Sequence, residues 1–292
     1  MMTKTAIVPN AWAHLRKFLA LGHRVEQLRG KVQRLEDKTS RLLEDLDQAR
    51  SGLAHITYLL SSRGFDEETE VAGAAPLPIR RDDRETVLSR LQRDYPLAYP
   101  VWKDLFDNGV IEYNEQKGLS LPTHPMAIKF GHYIRAFGKG ALLDIGCGPQ
   151  PIPVYLDGWP LHLIAGMDPL PAASDHPFGF ASGVAENIPW ADSSFDTVVL
   201  GTSLDHVIDL GKAISEIRRV TKDRGRVLVW AGLLAKGTPY DPHAANQSPA
   251  DEYHLFHLDR PTFESAFSQG FRIIDISPES ATDYFYSFSV TK

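Results

Sequence analysis

The chain has 292 residues, 43% hydrophobic and 23% charged, with a net charge of −6. This length allows one large domain and an appendage, the composition is that of an ordinary soluble globular protein, and the net negative charge offers no overall attraction to nucleic acid. The single cysteine excludes an internal disulfide framework, and no apolar run approaches the roughly eighteen residues of a membrane span. The first twenty-one residues contain only a short apolar patch, interrupted by His14, Arg16 and Lys17, so no secretion signal is expected there. The expected location is the cytoplasm.

From Phe18 to Leu60 the apolar residues fall into a heptad register. Phe18, Val25, Val32, Thr39, Leu46, Leu53 and Leu60 take the a positions, and Leu21, Leu28, Leu35, Leu42, Ala49 and Ile56 the d positions. Alternating spacings of three and four keep one seam toward a partner helix, and valine at a with leucine at d favours a parallel dimer. The alternative is one long amphipathic helix packed on its own chain. Eight basic residues stand against three acids between His14 and Arg41, so this stretch could meet an anionic membrane surface or glycan, although such a charge run is commonly a solvated face. Residues 1–62 are therefore expected to form a coiled-coil helix, the segment that would make a homo-oligomer through residues 18–60.

Residues 63–80 combine Gly64, an acidic run and Pro76-Leu77-Pro78, the composition of a flexible or extended linker. Residues 81–138 should form a helical cap: short helices over Asp82–Arg93 and Val101–Phe106, separated by Pro96 and Pro100, and an amphipathic segment over Pro125–Phe137. Residues 139–292 alternate strand and helix, as in a doubly wound sheet. Strands are expected at Leu142–Ile145, Leu163–Met167, Phe180–Val184, Thr197–Leu200, Arg226–Ala231, Phe271–Ile276 and Tyr284–Val290, and helices at Leu210–Thr221 and Pro261–Gln269.

The first of these strands, Leu142-Leu143-Asp144-Ile145, ends in an acid and runs into Gly146-Cys147-Gly148-Pro149-Gln150. A buried parallel strand entering a tight, ligand-facing turn has this form, because glycine permits close backbone approach and positive φ. Asp168 follows Gly148 at about the twenty-residue interval of an acid that meets ribose hydroxyls. Farther on, Ala185-Glu186-Asn187-Ile188-Pro189-Trp190-Ala191-Asp192-Ser193-Ser194-Phe195-Asp196 leads into the apolar run Thr197-Val198-Val199-Leu200. Together these blocks resemble the class I S-adenosylmethionine-dependent methyltransferases, in the branch with an AExxPxxDxSFD signature, over about residues 125–292.

The resemblance implies an α/β fold, a Rossmann-like doubly wound seven-stranded sheet, preceded here by the coiled-coil helix. It implies S-adenosylmethionine as cofactor, with Asp144 at the amino end of the methionine, Gly146 and Gly148 admitting the cofactor to the backbone, and Asp168 on the ribose. Cys147 is a small residue of the same turn, and Ala185 and Glu186 should lie beside the adenine. Two positions depart from the family pattern. Val184 stands where an acid often accepts from the adenine amino group, and Gln150 replaces a third glycine, where it could bond the methionine part or narrow the turn.

An acceptor hydroxyl must lose its proton, for which a histidine suits. Asp205 and His206 follow the fourth strand, where this family places residues facing the acceptor. Asp205 would orient the ring and His206 take the proton, with His254 or His257 as further pocket residues. The spacing of Asp241, His243, His254 and His257 matches no known ligand pattern, and no metal is expected. These features favour transfer to the hydroxyl oxygen of a small-molecule or glycan acceptor, with peripheral contact at the inner face of a membrane open through the basic stretch. Transfer to nitrogen stays open, since an amine acceptor needs only desolvation and placement. A degenerate methyltransferase-fold scaffold acting through its coiled coil is the alternative, and nucleic acid is not an expected partner.

Overall fold

A computed structural model describes residues 29–33, 38–39, 74–114, 123–170, 176–245 and 247–292. The chain divides into two units, Met1–Glu67 and Glu68–Lys292. In the first, residues 29–33 and 38–39 are helical, and Val32 is 52% exposed. Most of the heptad seam over 18–60 lies outside the described residues.

The described residues of the second unit begin with an extended strap over 74–80, the part of the expected linker that lies within the described residues. Ala75 N–H donates to His162 O, Ile79 N–H to Pro189 O, and the fully buried Trp190 donates its indole N–H to Pro76 O at 2.9 Å. Helix α1, Arg84–Asp94, is capped by the Asp83 carboxylate, which accepts from Thr86 N–H, and buries Val87 and Leu91. Helix α2 spans Tyr99–Asn114, longer than the expected Val101–Phe106. Pro100 falls in its first turn, where a missing N–H costs no helical hydrogen bond, so the proline starts the helix instead of separating two. Helix α3, Pro125–Phe137, buries one face through Phe130, Ile134 and Phe137.

Eight strands follow: β1 Leu142–Ile145, β2 Ile164–Asp168, β3 Gly179–Ser182, β4 Phe195–Gly201, β5 Thr221–Leu234, β6 Leu258–Asp259, β7 Phe271–Pro278 and β8 Asp283–Val290. Helix α4, Leu210–Val220, joins β4 to β5, and α5, Arg260–Ala266, follows β6. Seven strands run in the order β3-β2-β1-β4-β5-β8-β7, and the two-residue β6 pairs with the end of β5. The strands from β3 to β5 are parallel, and β8 is antiparallel to both neighbours. All four residues of β1 are buried, as expected of a central parallel strand covered on both faces.

The strand–helix alternation of the described residues holds only in the second half of the domain. Among the described residues the β1–β2 connection contains two 3₁₀ turns, Val154–Leu156 and Leu161–Leu163, and no α-helix. Pro149, Pro151 and Pro153 disfavour α conformation at the residues before them and remove N–H donors. Helix α3 packs against the first of these turns instead. Gly131 in α3 allows this, since a Cβ there would meet Tyr155 O at 3.0 Å.

Candidate active site

The sheet order reverses direction between β1 and β4, and a cavity of about 380 Å³ opens beyond the carboxyl ends of β1, β2 and β4. In open α/β sheets this switch point is the ligand crevice. Gly146 and Gly148 have φ of +79° and +71°, a region that favours glycine. Gly146 also makes room for the protein itself, because a Cβ there would lie 2.4 Å from Ser203 Cβ. Ser203 in turn donates its hydroxyl to Ile145 O at 2.6 Å, drawing the loop after β4 onto the glycine turn.

Three acids predicted from the sequence converge here, all buried. Asp144 accepts the Tyr155 hydroxyl on Oδ2 at 2.9 Å, while its buried Oδ1 has no hydrogen-bond partner. Burial pushes its carboxyl up to about 8, against the Tyr155 bond, with the neighbouring Asp168 charge adding to the rise. Asp168 accepts Gly148 N–H on one oxygen and Leu170 N–H on the other, both at 2.7 Å. Burial raises it to about 6, and those two bonds hold it from rising farther. Glu186 takes Ile208 N–H at 2.5 Å and Asp209 N–H at 3.1 Å on Oε1, which fastens the 185–187 turn to the start of α4. Its carboxyl is raised by burial, opposed by backbone bonds.

Gly146, Asp168, Ala185 and Glu186 line the cavity, as does Val184. Cys147 and Gln150 do not. Cys147 is buried beneath the turn, where a Cβ on Gly166 would come within 3.0 Å of its Sγ. Burial pushes its thiol well above the ordinary value, with the charges of Asp168 and Asp144 adding to the rise, so it is an inert packing residue. Asp144 likewise stands behind the lining rather than in it. The set fits S-adenosylmethionine: a glycine turn, a buried carboxylate with spare lone pairs at the end of β2, and an orphaned acid oxygen at the end of β1.

The signature block also serves as scaffold. Arg219 donates to Ile188 O, Trp190 O, Glu216 and Asp192, each at 2.7–2.9 Å, and Glu216 accepts Ile188 N–H at 3.0 Å. Asp196 accepts Ala141 N–H at 3.0 Å and Lys222 Nζ at 2.8 Å, tying the start of β1 to β4 and β5.

The opposite wall comes from α2 and from the loops after β4 and before β6. Trp102, Leu105 and Phe106 of α2 face His206, Tyr253 and His254. Trp102 donates its indole N–H to His206 O at 2.8 Å, so the covering helix is fixed to the loop it covers. The His206 ring is 45% exposed yet surrounded closely enough that desolvation holds its pKa below the ordinary value, with Asp205 opposing and His254 reinforcing the shift.

The expected Asp205–His206 dyad is not assembled. His206 Nε2 stands 4.0 Å from Asp205 Oδ1, beyond hydrogen-bond range, and the His206 ring stacks on His254 at a 4.6 Å centroid distance. His254 is oriented by Asp251, whose Oδ1 lies 2.8 Å from Nδ1. His257 lies behind it, with Nε2 3.1 Å from Asp251, and is not part of the cavity lining. His243 stacks on Tyr95 instead of joining this group.

This strand order, with an antiparallel strand entering at β8 and the crevice at the β1/β4 switch point, is the Rossmann-like fold of the class I methyltransferases. Residues 143–229 match the family model described as "Methyltransferase domain", and the cofactor of such a domain is S-adenosylmethionine. A demethylmenaquinone methyltransferase of Roseiflexus sp. (strain RS-1) is 36% identical over 92 residues, 28% of this chain and 39% of that protein. The uncharacterized methyltransferase YcgJ of Bacillus subtilis (strain 168) is 35% identical over 94 residues, 31% and 33% of the two chains. The match thus spans about two fifths or less of these relatives. Among solved structures, a 1,6-didemethyltoxoflavin-N1-methyltransferase of Burkholderia thailandensis aligns over 79% of this chain and 99% of its own, with 12% identity and a TM-score of 0.45.

Proposed function

We propose that the protein transfers the methyl group of S-adenosylmethionine to the hydroxyl oxygen of a small acceptor bound between α2 and the His206–His254 wall. The carrying observation is that one cavity joins Gly146, Asp168 and Glu186 on one side to His206, His254 and the aromatic face of α2 on the other. The cofactor supplies a methyl group already bonded to its leaving group, so the chain's work is placement and management of the acceptor's proton. Gly146, Asp168, Ala185 and Glu186 hold the cofactor, Asp144 faces its amino end from beneath the turn, and the acceptor proton leaves at the Asp205, His206 and His254 group. The aromatic wall favours an acceptor with a ring or other apolar body over an extended glycan. The test is methyl transfer from labelled S-adenosylmethionine to hydroxylated and aminated small molecules and to glycans. Transfer to amines or carbon alone removes the oxygen assignment. No transfer and no cofactor binding favour the scaffold reading, in which both Asp168 oxygens serve only the backbone.

Cofactor binding should depend on pH through Asp144. Its surroundings are Tyr155, the Asp168 carboxylate and the Cys147 thiol. A carboxyl raised to about 8 is mostly protonated at pH 7, and a cationic amine brought beside it favours the charged form. Binding at pH 7 should therefore release close to one proton, and affinity should rise by up to about tenfold per pH unit toward pH 8. In the free protein the sign is reversed: stability present below the ordinary carboxylate pKa is lost as pH rises through about 8. Calorimetry in two buffers of different ionisation enthalpy measures the proton. Unchanged release in Asp144→Asn assigns it elsewhere.

We also propose that residues 18–60 associate as a parallel dimer, for which the heptad register is the support. The full chain should have a dimer's mass in solution and a chain beginning at Ala75 a monomer's; two monomers remove the assignment. No helix of the described residues is long and apolar enough to cross a membrane, and contact of the basic stretch with an anionic inner leaflet is a proposal resting on its charge.

A further inference from the structure

We propose that Asp205, His206 and His254 bind a divalent transition-metal ion at the acceptor wall of the cavity. The three residues come from two loops about fifty positions apart in the chain, which is why no local spacing announces them. One ligand atom from each lies within 4.8 Å of the others. His254 Nε2 is 3.6 Å from Asp205 Oδ2, and His206 Nε2 is 4.0 Å from Asp205 Oδ1. Both separations exceed a hydrogen bond. Two donors that each sit about 2.1 Å from a shared ion and subtend an angle of about 110–140° lie about 3.4–3.9 Å apart. The His254–Asp205 pair falls in that range and the His206–Asp205 pair lies just outside it.

Two further features fit an ion and not a plain polar cluster. Asp205 Oδ1 is buried without a hydrogen-bond partner, a costly state for a carboxylate oxygen unless something cationic meets it. Behind the group, Asp251 bonds His254 Nδ1 at 2.8 Å and is itself held by Tyr253 N–H and His254 N–H, both at 2.8 Å. A carboxylate on the far ring nitrogen fixes the tautomer and turns the Nε2 lone pair forward, the usual arrangement behind a metal-bound histidine. Asp251 and His257, 3.1 Å apart at ion-pair distance, belong to this supporting layer.

Two imidazoles and one carboxylate select Zn²⁺, Fe²⁺, Co²⁺ or Mn²⁺ over Mg²⁺ and Ca²⁺, and three protein ligands leave positions open. His206 and His254 line the cavity, so those positions face the acceptor. An acceptor hydroxyl coordinated there would have a lowered pKa and would release its proton to solvent water near neutrality, with His206 and His254 acting through the ion instead of taking the proton on their own Nε2 atoms. This last step rests on the methyltransferase reading; ion binding does not.

The test uses the full chain without an affinity tag, stripped with a chelator and titrated with Zn²⁺ by calorimetry and with Co²⁺ by visible absorption. One ion per chain at micromolar affinity is expected, with the Co²⁺ bands of a four- or five-coordinate nitrogen and oxygen site. Asp205→Asn and His254→Gln should weaken binding at least about 100-fold, Asp251→Asn about 10–100-fold, and His257→Gln hardly at all. S-adenosylmethionine binding in each variant shows that it is folded. No binding at about 100 µM ion in a cofactor-competent protein overturns the proposal, as does equal weakening by His257→Gln and Asp205→Asn. Ion binding without cofactor binding overturns the methyltransferase reading and leaves this one standing.

Discussion

Asp168→Ala should weaken S-adenosylmethionine binding by at least about 100-fold while the sheet stays folded. The substitution removes a carboxylate that accepts Gly148 N–H and Leu170 N–H at 2.7 Å each, and that lines the cavity where the resemblance implies ribose. Hydrogen bonds to a charged group contribute about 1.5–3 kcal/mol each. Losing the ribose contacts together with the bond that shapes the Gly146–Gly148 turn therefore exceeds the roughly 2.7 kcal/mol that a hundredfold change in affinity requires. Asparagine does not rescue the turn, since its amide offers one oxygen to two backbone donors and faces the other with an N–H. Gln150→Ala is the matched control. Gln150 is outside the cavity lining, and its removal should change affinity by no more than about twofold, as for ordinary surface substitutions. Calorimetric titration measures both variants, and thermal unfolding separates lost binding from lost folding. Unchanged affinity in Asp168→Ala would confine Asp168 to a structural role and undo the cofactor assignment at the end of β2.

The cofactor side of the site was legible because its determinants are local. Asp144, Gly146 and Gly148 sit within five residues on one strand end, and glycine at positive φ leaves a plain mark on a sequence. Strand positions were legible for the same reason, since buried parallel strands read as short apolar runs. The acceptor side was not, because it is assembled from distant parts. Nothing near His206 indicates that His254 stacks on it, or that Asp251 instead of Asp205 orients a ring. Tyr155, which supplies Asp144 with its one hydrogen bond, lies beyond a proline-rich stretch whose lack of a helix only the fold reveals. Arg219 and Glu216 look like the solvated face of α4, yet they hold the carbonyls and amide of the signature block. The proline signal misled in one place: Pro100 marks the start of α2, the helix that closes the cavity.

His206→Ala should reduce methyl transfer to a hydroxyl acceptor by about 10²–10⁴-fold, the usual worth of a group that manages the acceptor's proton, with cofactor affinity unchanged. The two effects separate because the two ends of the cavity are built independently. His206 touches none of Asp144, Asp168 or the glycine turn through a hydrogen bond, and its link to α2 runs through its backbone carbonyl, which alanine retains. Glu186 still holds Ile208 and Asp209, so the loop keeps its place. The deficit should therefore appear in kcat, the pattern of an interaction made chiefly in the transition state. Removing the Trp102 indole donor with Trp102→Phe acts differently. It keeps most of the aromatic wall but loosens the tie between α2 and the loop, so acceptor KM should rise more than kcat falls. A His206→Ala enzyme with full kcat would place the proton's exit elsewhere and leave His206 as a packing residue of the His254 stack.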